Sequence, residues 1–350
     1  MVIFVTGGSG FIGSNFIRLM LNETTHQIVN IDKLTYAGNP MNLLDFEKNK
    51  RYHFYKININ NKKEIFNLFN KYNPQLVYNF AAESHVDRSI HGPKSFIETN
   101  INGVFNLLEI QRIYYESLSY SKKCKFKFVH ISTDEVYGSL EKDENPFNEK
   151  NQFKPNSPYS ASKAASDHLV RSWNRTYGLP TIISNCSNNY GPYQFPEKFI
   201  PLIISNLIDG KKIPIYGNGS NIRDWIFVED HCRALKVIGE IGKVGEVYNI
   251  GADNELNNIQ IANKVCDEFD KQFNNTISSR RLISFVSDRP GHDKRYAIDS
   301  FKIRHELNWK PLMDFDTGIN KTLKWYLNNI KWLDSIKSGK YKKWLKMNYK

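Results

Sequence analysis

The sequence predicts an α/β fold, a doubly wound parallel sheet joined to a smaller second lobe, and three observations carry that expectation. The first half of the chain alternates short β-branched runs with helix-length stretches. Those runs are apolar throughout instead of alternating in polarity, and a glycine-rich turn stands between the first run and the first helix. Apolar strands alternating with helices belong to a parallel sheet covered on both faces. Right-handed crossovers then wind it doubly and bring ligands to the carboxyl ends of the strands.

Taken in order, the expected strands are 2–6, 28–32, 53–56, 76–80, 126–132 and 181–184, with helices 11–21, 62–72, 93–115 and 158–177 between them. After about Asn188 the rhythm changes, because Pro192, Pro196, Pro201 and Pro214 with Gly210, Gly217 and Gly219 cut the chain into shorter pieces. A discontinuous α/β substrate-binding lobe is expected there, mainly residues 188–223 and 251–350. Residues 1–187 form the dinucleotide-binding domain, and 224–250 return to its sheet through 225–228 and 247–250.

Bulk properties exclude several classes. At 350 residues, 40% hydrophobic and 24% charged, the chain has an ordinary folded composition and buries a full core. Cys124, Cys186, Cys232 and Cys266 lie far apart with no C-x-x-C, so buried thiols in a reducing, cytoplasmic compartment are expected, with no metal site and no disulfide scaffold. The opening residues run straight into a strand pattern without a basic leader, and no apolar run is long enough to span a membrane. The formal charge of +12 is dispersed, with a modest concentration over 337–350. No aromatic-interleaved basic stripe marks a nucleic-acid binder, and an anionic small-molecule substrate accounts for the charge equally well.

Gly8-Ser-Gly10-Phe-Ile-Gly13 follows the first strand and opens the first helix. That is the Rossmann fingerprint: the glycines let the backbone turn tightly and approach a pyrophosphate seated at the positive helix terminus. Asp32 ends the second strand about 20 residues on, where a carboxylate binds ribose hydroxyls and repels a 2′-phosphate, so NAD is expected over NADP. Phe80-Ala81-Ala82-Glu83-Ser84 follows the fourth strand, with small residues that let a cofactor lie close. Tyr159 and Lys163 are one helical turn apart and share a face. An ammonium there lowers the tyrosine pKa and makes Tyr159 a base for a substrate hydroxyl. Asp134 and Glu135 follow the strand that ends at Ser132. Adjacent carboxylates are usually a solvated turn, but a strand end in this fold points at the ligand crevice. Crowding raises one of the two pKa values, which suits a general acid.

With these residues in place, the chain resembles the extended short-chain dehydrogenase/reductase family and, within it, the dTDP-glucose 4,6-dehydratases. The matching segments include residues 5–14, 32–39, 81–89, 131–138, 158–163, 185–192, 214–217, 223–225 and 288–293, and the resemblance runs to about Tyr349. It implies that Tyr159 takes the C4 hydroxyl proton as hydride passes to NAD, Glu135 removes the C5 proton, and Asp134 protonates the departing C6 hydroxyl. Hydride then returns to C6, so NAD is recycled. Thr133 would bond the C4 oxygen, and Lys163 the nicotinamide ribose. By matching position, Gly7, Gly10, Phe11, Ile12, Gly13, Asp32, Lys33, Leu34, Thr35, Asn58, Ile59, Phe80, Ala81, Ala82, Ser84, Thr99 and Asn189 would touch NAD. Ser84, Thr133, Asn188, Lys198, Phe199, Pro214, Ile215, Tyr216, Arg223, Asn258, Arg289 and His292 would face the nucleotide sugar, with the two arginines suited to its diphosphate.

One departure is visible. Asn58 stands where the family has an aspartate that accepts from the adenine amino group; its amide oxygen still accepts, without charge. The resemblance also implies a homodimer joined through helices 93–115 and 158–177. Rival readings are a 4-epimerase, which needs no Asp134–Glu135 pair, a dehydratase of UDP- or GDP-sugars, and a non-catalytic NAD-binding regulator.

Overall fold

The computed structural model describes residues 1–337; the rest of the basic 337–350 tail lies outside the described residues. Seven strands form one sheet: β1 (Val2–Thr6), β2 (Gln27–Ile31), β3 (Tyr52–Tyr55), β4 (Leu76–Asn79), β5 (Lys127–Thr133), β6 (Thr181–Cys186) and β10 (Val247–Ile250). Their order is β10-β6-β5-β4-β1-β2-β3 and every pairing is parallel. The order reverses between β1 and β4, so the crevice opens beyond the carboxyl ends of those two strands.

Alternation along the strands divides the core. Ile3 and Val5 join one apolar cluster with the Phe11–Glu23 and Val228–Ile241 helices. Phe4 points to the other, with the Lys62–Tyr72, Gly103–Ser117 and Pro158–Tyr177 helices. On β5, Val129 and Ile131 face the first cluster. Phe128 faces the second, so His130 and Ser132 must point the same way, toward the Pro158–Tyr177 helix.

The Pro158–Tyr177 helix has the start and stop that its sequence encodes. Ser157 and Ser160 form a reciprocal capping box, Pro158 occupies the first turn, and Gly178 closes the end at φ +67. The expected 93–115 helix runs without a break from Lys94 to Ser117, but carries a π-helical stretch, Ile97–Asn102, between α-helical Lys94–Phe96 and Gly103–Ser117. The cause is polar. Asn100 is buried, exchanges hydrogen bonds with the backbone of Glu83 (2.9 and 3.0 Å) and donates to Ser162 (2.9 Å). The wider turn lets Thr99 and Asn100 both face inward.

Beyond β6 the chain builds two small sheets. β7 (Asn188–Tyr190) and β11 (Glu255–Asn257) flank β9 (Ile222–Phe227), and β8 (Ile213–Tyr216) pairs in parallel with β12 (Ile283–Val286). Their apolar sides, with the Phe199–Ile208, Asn258–Phe273 and Phe315–Asn328 helices, enclose a third cluster. The 247–250 segment does return to the large sheet, but 225–228 does not. Trp225, Ile226 and Phe227 pair with Asn188, Asn189 and Tyr190; of these Ile226 turns its side chain into the first core, which the helix starting at Val228 also joins, while Trp225 and Phe227 face the third cluster. Of the four cysteines, Cys186, Cys232 and Cys266 are buried as expected, whereas Cys124 is exposed.

Candidate active site

A cavity of about 270 Å³ runs along the carboxyl ends of β1, β4, β5 and β6. At one end it is lined by Gly7, Gly10, Phe11, Ile12 and Gly13, then by Asp32, Lys33 and Thr35. Space there admits nothing larger than glycine: a Cβ on Gly13 would lie 2.5 Å from the Gly7 oxygen and 2.8 Å from the Gly8 Cα, both backbone atoms. Asp32 is buried, and its carboxylate accepts the N–H of Ser9 (3.0 Å) and of Leu34 (2.8 Å). Burial raises its pKa, and these two N–H donors hold it down. A carboxylate fixed this way at the second strand's end, beside a turn that only glycine fits, suits the adenosine half of a dinucleotide.

Two expected cofactor residues stand elsewhere. Leu34, at φ +56, supports Asp32 through its backbone and does not line the cavity. Asn58 is exposed, and its Oδ1, the acceptor expected for adenine, takes the N–H of Asn60 (3.0 Å). Its neighbours Ile57 and Ile59 line the wall instead, with Phe80, Ala81, Ala82, Ser84, Thr99 and Asn189. Lys33 Nζ donates to Thr99 (3.0 Å) and approaches Glu83 (3.3 Å).

At the other end converge Thr133, Asp134, Glu135, Tyr159 and Lys163. β5 delivers Thr133, whose hydroxyl accepts from the Glu135 N–H (3.3 Å) and donates to Asp134 Oδ1 (3.1 Å). This bond caps a 3-10 turn, Asp134–Tyr137, which ends at Gly138 at φ +93, where a Cβ would meet the Lys154 oxygen at 2.4 Å. The turn separates the two carboxyls. Asp134 is 2% exposed, and its Oδ2 has no hydrogen-bond partner among the described residues. Burial and the Glu135 charge push its pKa well up, which favours the protonated form. Burial raises Glu135 as well, but Arg289, Lys198 and Arg223 pull it back toward the carboxylate.

Burial and the Glu135 carboxylate push the Tyr159 pKa well up, and a hydrogen bond with the Thr133 hydroxyl draws it back. The Lys163 ammonium is committed to the Ile131 carbonyl at 2.8 Å, beside His130 at 3.4 Å.

The expected substrate residues divide. Asn188 and Lys198 line the cavity, with Lys198 donating to the Ser84 carbonyl at 2.7 Å. Arg223 is buried, donates to the Asp293 carbonyl (2.9 Å) and lies 4.3 Å from the Tyr296 ring centre, while its field reaches Asp134 and Glu135. Tyr216 and Arg289 meet on Asp87, at 3.3 and 3.0 Å. His292 sits 2.6 Å from Asp288, and burial with Arg289 lowers its pKa to about 4. Phe199, Pro214 and Asn258 are partly buried outside the cavity wall, and Ile215 is fully buried in the third core, so its side chain does not reach the wall. Among the wall residues the sequence reading missed are Cys186, Ser187, Gln194, Phe195 and Glu197. It also missed Asp87, which gathers two of the expected residues; no local pattern marks that meeting.

This site defines a class: a dinucleotide-dependent enzyme of the extended short-chain dehydrogenase/reductase kind, with an acid–base carboxyl pair added to its tyrosine and lysine. Residues 4–322 match the family model described as GDP-mannose 4,6 dehydratase. The chain is 54% identical to the dTDP-glucose 4,6-dehydratase of Salmonella typhimurium, over 100% of this chain and 99% of that one, and 54% identical to dTDP-glucose 4,6-dehydratase 1 of Escherichia coli with the same coverage. Among solved structures it is similar to the dTDP-glucose 4,6-dehydratase DesIV of Streptomyces venezuelae with NAD bound, at TM-score 0.88 and 39% identity over 96% of this chain and 100% of that one. The chain therefore belongs to the GDP-mannose 4,6 dehydratase family and, within it, to the dTDP-glucose 4,6-dehydratases.

Proposed function

We propose that the protein converts dTDP-glucose to dTDP-4-keto-6-deoxyglucose and water, by oxidation at C4, elimination across C5 and C6, and reduction at C6. One observation carries this reading: two adjacent buried carboxyls differ in what surrounds them, Asp134 pushed well up by burial and the Glu135 charge with an Oδ2 that has no hydrogen-bond partner among the described residues, and Glu135 raised by burial but drawn back toward the carboxylate by Arg289, Lys198 and Arg223. Elimination needs that pair, and an epimerase does not.

Gly7, Gly10, Gly13 and Asp32 would hold NAD, with Lys163 placed for its ribose. The cofactor would supply the hydride acceptor for oxidation at C4 and the hydride donor for reduction at C6. The protein's own groups handle the protons. Tyr159 accepts the C4 hydroxyl proton while Thr133 bonds the C4 oxygen. The C4 ketone acidifies C5–H, and Glu135 removes that proton; the electron pair becomes the C5–C6 double bond as the C6–O bond breaks. Asp134 gives its proton to the leaving oxygen, which departs as water, and as hydride adds at C6 the double-bond pair moves to C5, which takes a proton back to complete the product. Asn188, Lys198, Arg223 and Arg289 face the sugar diphosphate, where bidentate guanidinium donors match phosphate oxygens.

A second copy of the chain is part of this reading. The segments of the expected interface expose Ile97 (45%), Phe105 (38%), Ile113 (48%) and Tyr177 (50%), an apolar surface that a four-helix pairing would cover. Among the described residues no helix is long and apolar enough to cross a membrane. The chain is read as a cytoplasmic homodimer, and light scattering checks the mass.

The deciding experiment is mass spectrometry of dTDP-glucose incubated with the purified protein and no added cofactor, with UDP-glucose and GDP-mannose in parallel. Loss of one water from dTDP-glucose alone is the expected result. Water loss from none of the three, even with NAD supplied, would overturn the reading.

A further inference from the structure

Lys163 carries a charge into a place where the cavity does not compensate it. Its side chain is 3% exposed, and its ammonium reaches the Ile131 carbonyl at 2.8 Å. Burying an ammonium without a counter-charge drives it neutral. The nearest imidazole does not serve. Asn79 Oδ1 accepts from the Thr6 hydroxyl (2.6 Å), so Asn79 turns its amide nitrogen to His130 Nδ1 (3.0 Å). Nδ1 is then an acceptor, and the proton of the neutral ring sits on Nε2. Burial and Lys163 keep that ring neutral. Nε2 lies 3.4 Å from Lys163 Nζ, but its N–H points to the Ser166 hydroxyl at 3.2 Å, whose own proton goes to the Lys163 carbonyl, so it offers the ammonium no lone pair.

Behind the imidazole stands Asp167, one turn after Lys163 on the same helix face and 2% exposed. Its Oδ2 accepts from the Ser132 hydroxyl at 2.7 Å. Its Oδ1 has no hydrogen-bond partner among the described residues and lies 3.4 Å from His130 Nε2. The groups that face this pair are His130 and Ser132 from β5, Tyr137 from the turn after it, and Cys186 from β6. Burial pushes both Tyr137 and Cys186 up, so neither carries charge at neutral pH. Asp167 is the carboxylate whose charge acts on the Lys163 ammonium.

We propose that Asp167 is the buried counter-charge of Lys163, a positioning residue held in place by Ser132 whose carboxylate keeps the ammonium charged beside Tyr159 across the water-poor space they share. The inference rests on the dehydratase reading for its kinetic consequence, and its geometry stands apart from that reading. The coupling is mutual. Burial pulls Lys163 down and Asp167 pulls it back up, while burial pushes Asp167 up to about 7 and Lys163 holds it down.

The test compares wild-type holoenzyme with Asp167→Asn and Lys163→Met. The substrate is dTDP-6-deoxyglucose, which has no C6 hydroxyl to lose and stops after C4 oxidation, so reduced nicotinamide accumulates and its absorbance is read in a single turnover. Asp167→Asn is expected to move the alkaline limb of that rate to lower pH by about one unit or more. Competitive acetylation of the Lys163 amine, read by peptide mass spectrometry, is expected to shift by the same amount. Reciprocally, Lys163→Met is expected to raise the pH at which the Asp167 carboxyl titrates in the infrared. A folded, NAD-loaded Asp167→Asn protein with wild-type limb and amine titration would overturn the proposal. If that variant does not fold, an Asp167 infrared titration unmoved by Lys163→Met overturns it instead. A wild-type protein that forms no reduced nicotinamide would count against the dehydratase reading alone, since the amine and carboxyl titrations remain readable.

Discussion

Replacing Asp134 by Asn separates the elimination from the oxidation. The amide keeps the side chain's shape and its contact with the Thr133 hydroxyl, but it has no acidic proton to give. A positioned general acid contributes roughly 10²–10⁴-fold, or about 3–5 kcal/mol of barrier. The water-loss rate from dTDP-glucose should therefore fall by that factor. C4 oxidation should survive, because Tyr159 and Lys163 are untouched, and reduced nicotinamide should build up as the stalled state. A substrate with fluorine for the C6 hydroxyl needs less help in leaving and should recover much of the loss. Stability should move the other way. Burial and Glu135 raise the Asp134 pKa in the folded protein above its unfolded value. Such a group favours the folded state least once the pH exceeds the unfolded value near 3.8, and the penalty grows until the folded pKa is passed. Asp134→Asn should gain on wild type in denaturant midpoint as the pH rises from about 4 toward neutrality. Water loss within tenfold of wild type, or equal loss of the oxidation and elimination steps, would refute the assignment of Asp134 as the acid.

Three further outcomes are expected. Glu135→Gln removes the C5 base, so C4 oxidation should persist while deuterium from solvent fails to enter at C5, with elimination down by about 10²-fold or more. Gly13→Ala sets a methyl against two backbone atoms at 2.5 and 2.8 Å, which cannot yield as a side chain would; the protein should purify without NAD and melt several degrees lower. Trp332→Phe deletes the indole N–H that donates to buried Asn42 Oδ1 (2.8 Å), whose amide in turn holds the Ser9 carbonyl (3.0 Å) in the dinucleotide loop. Leaving that acceptor unsatisfied costs about 1–3 kcal/mol and should quicken NAD loss on dialysis.

What the sequence determined by itself is what neighbouring residues determine. The Lys62–Tyr72 and Pro158–Tyr177 helices carry their own caps and apolar spacing, so their ends could be read directly. The glycine fingerprint, Asp32 at a strand end, and Tyr159 one turn before Lys163 are likewise short-range facts. The strand pattern implied a parallel sheet because buried strands are apolar on both faces.

Tertiary structure decided the rest, since it depends on which distant residues come to share one low-dielectric space. The sequence shows two adjacent carboxyls; only the fold leaves one Asp134 oxygen without a partner among the described residues and brings Glu135 into the field of Arg289, Lys198 and Arg223. Residues 225–228 read as a strand of the large sheet, yet β7 claims their hydrogen bonds. Helix spacing places Lys163 beside Tyr159, but the Ile131 carbonyl takes its ammonium. Part of that polar network was legible. His130 and Ser132 interrupt an otherwise apolar strand, and Asp167 continues the face of Tyr159 and Lys163 by one more turn. That the three meet follows from how a strand and a helix some 30 residues apart pack, because a charge's partner is set by distance in space and by dielectric, not by distance along the chain.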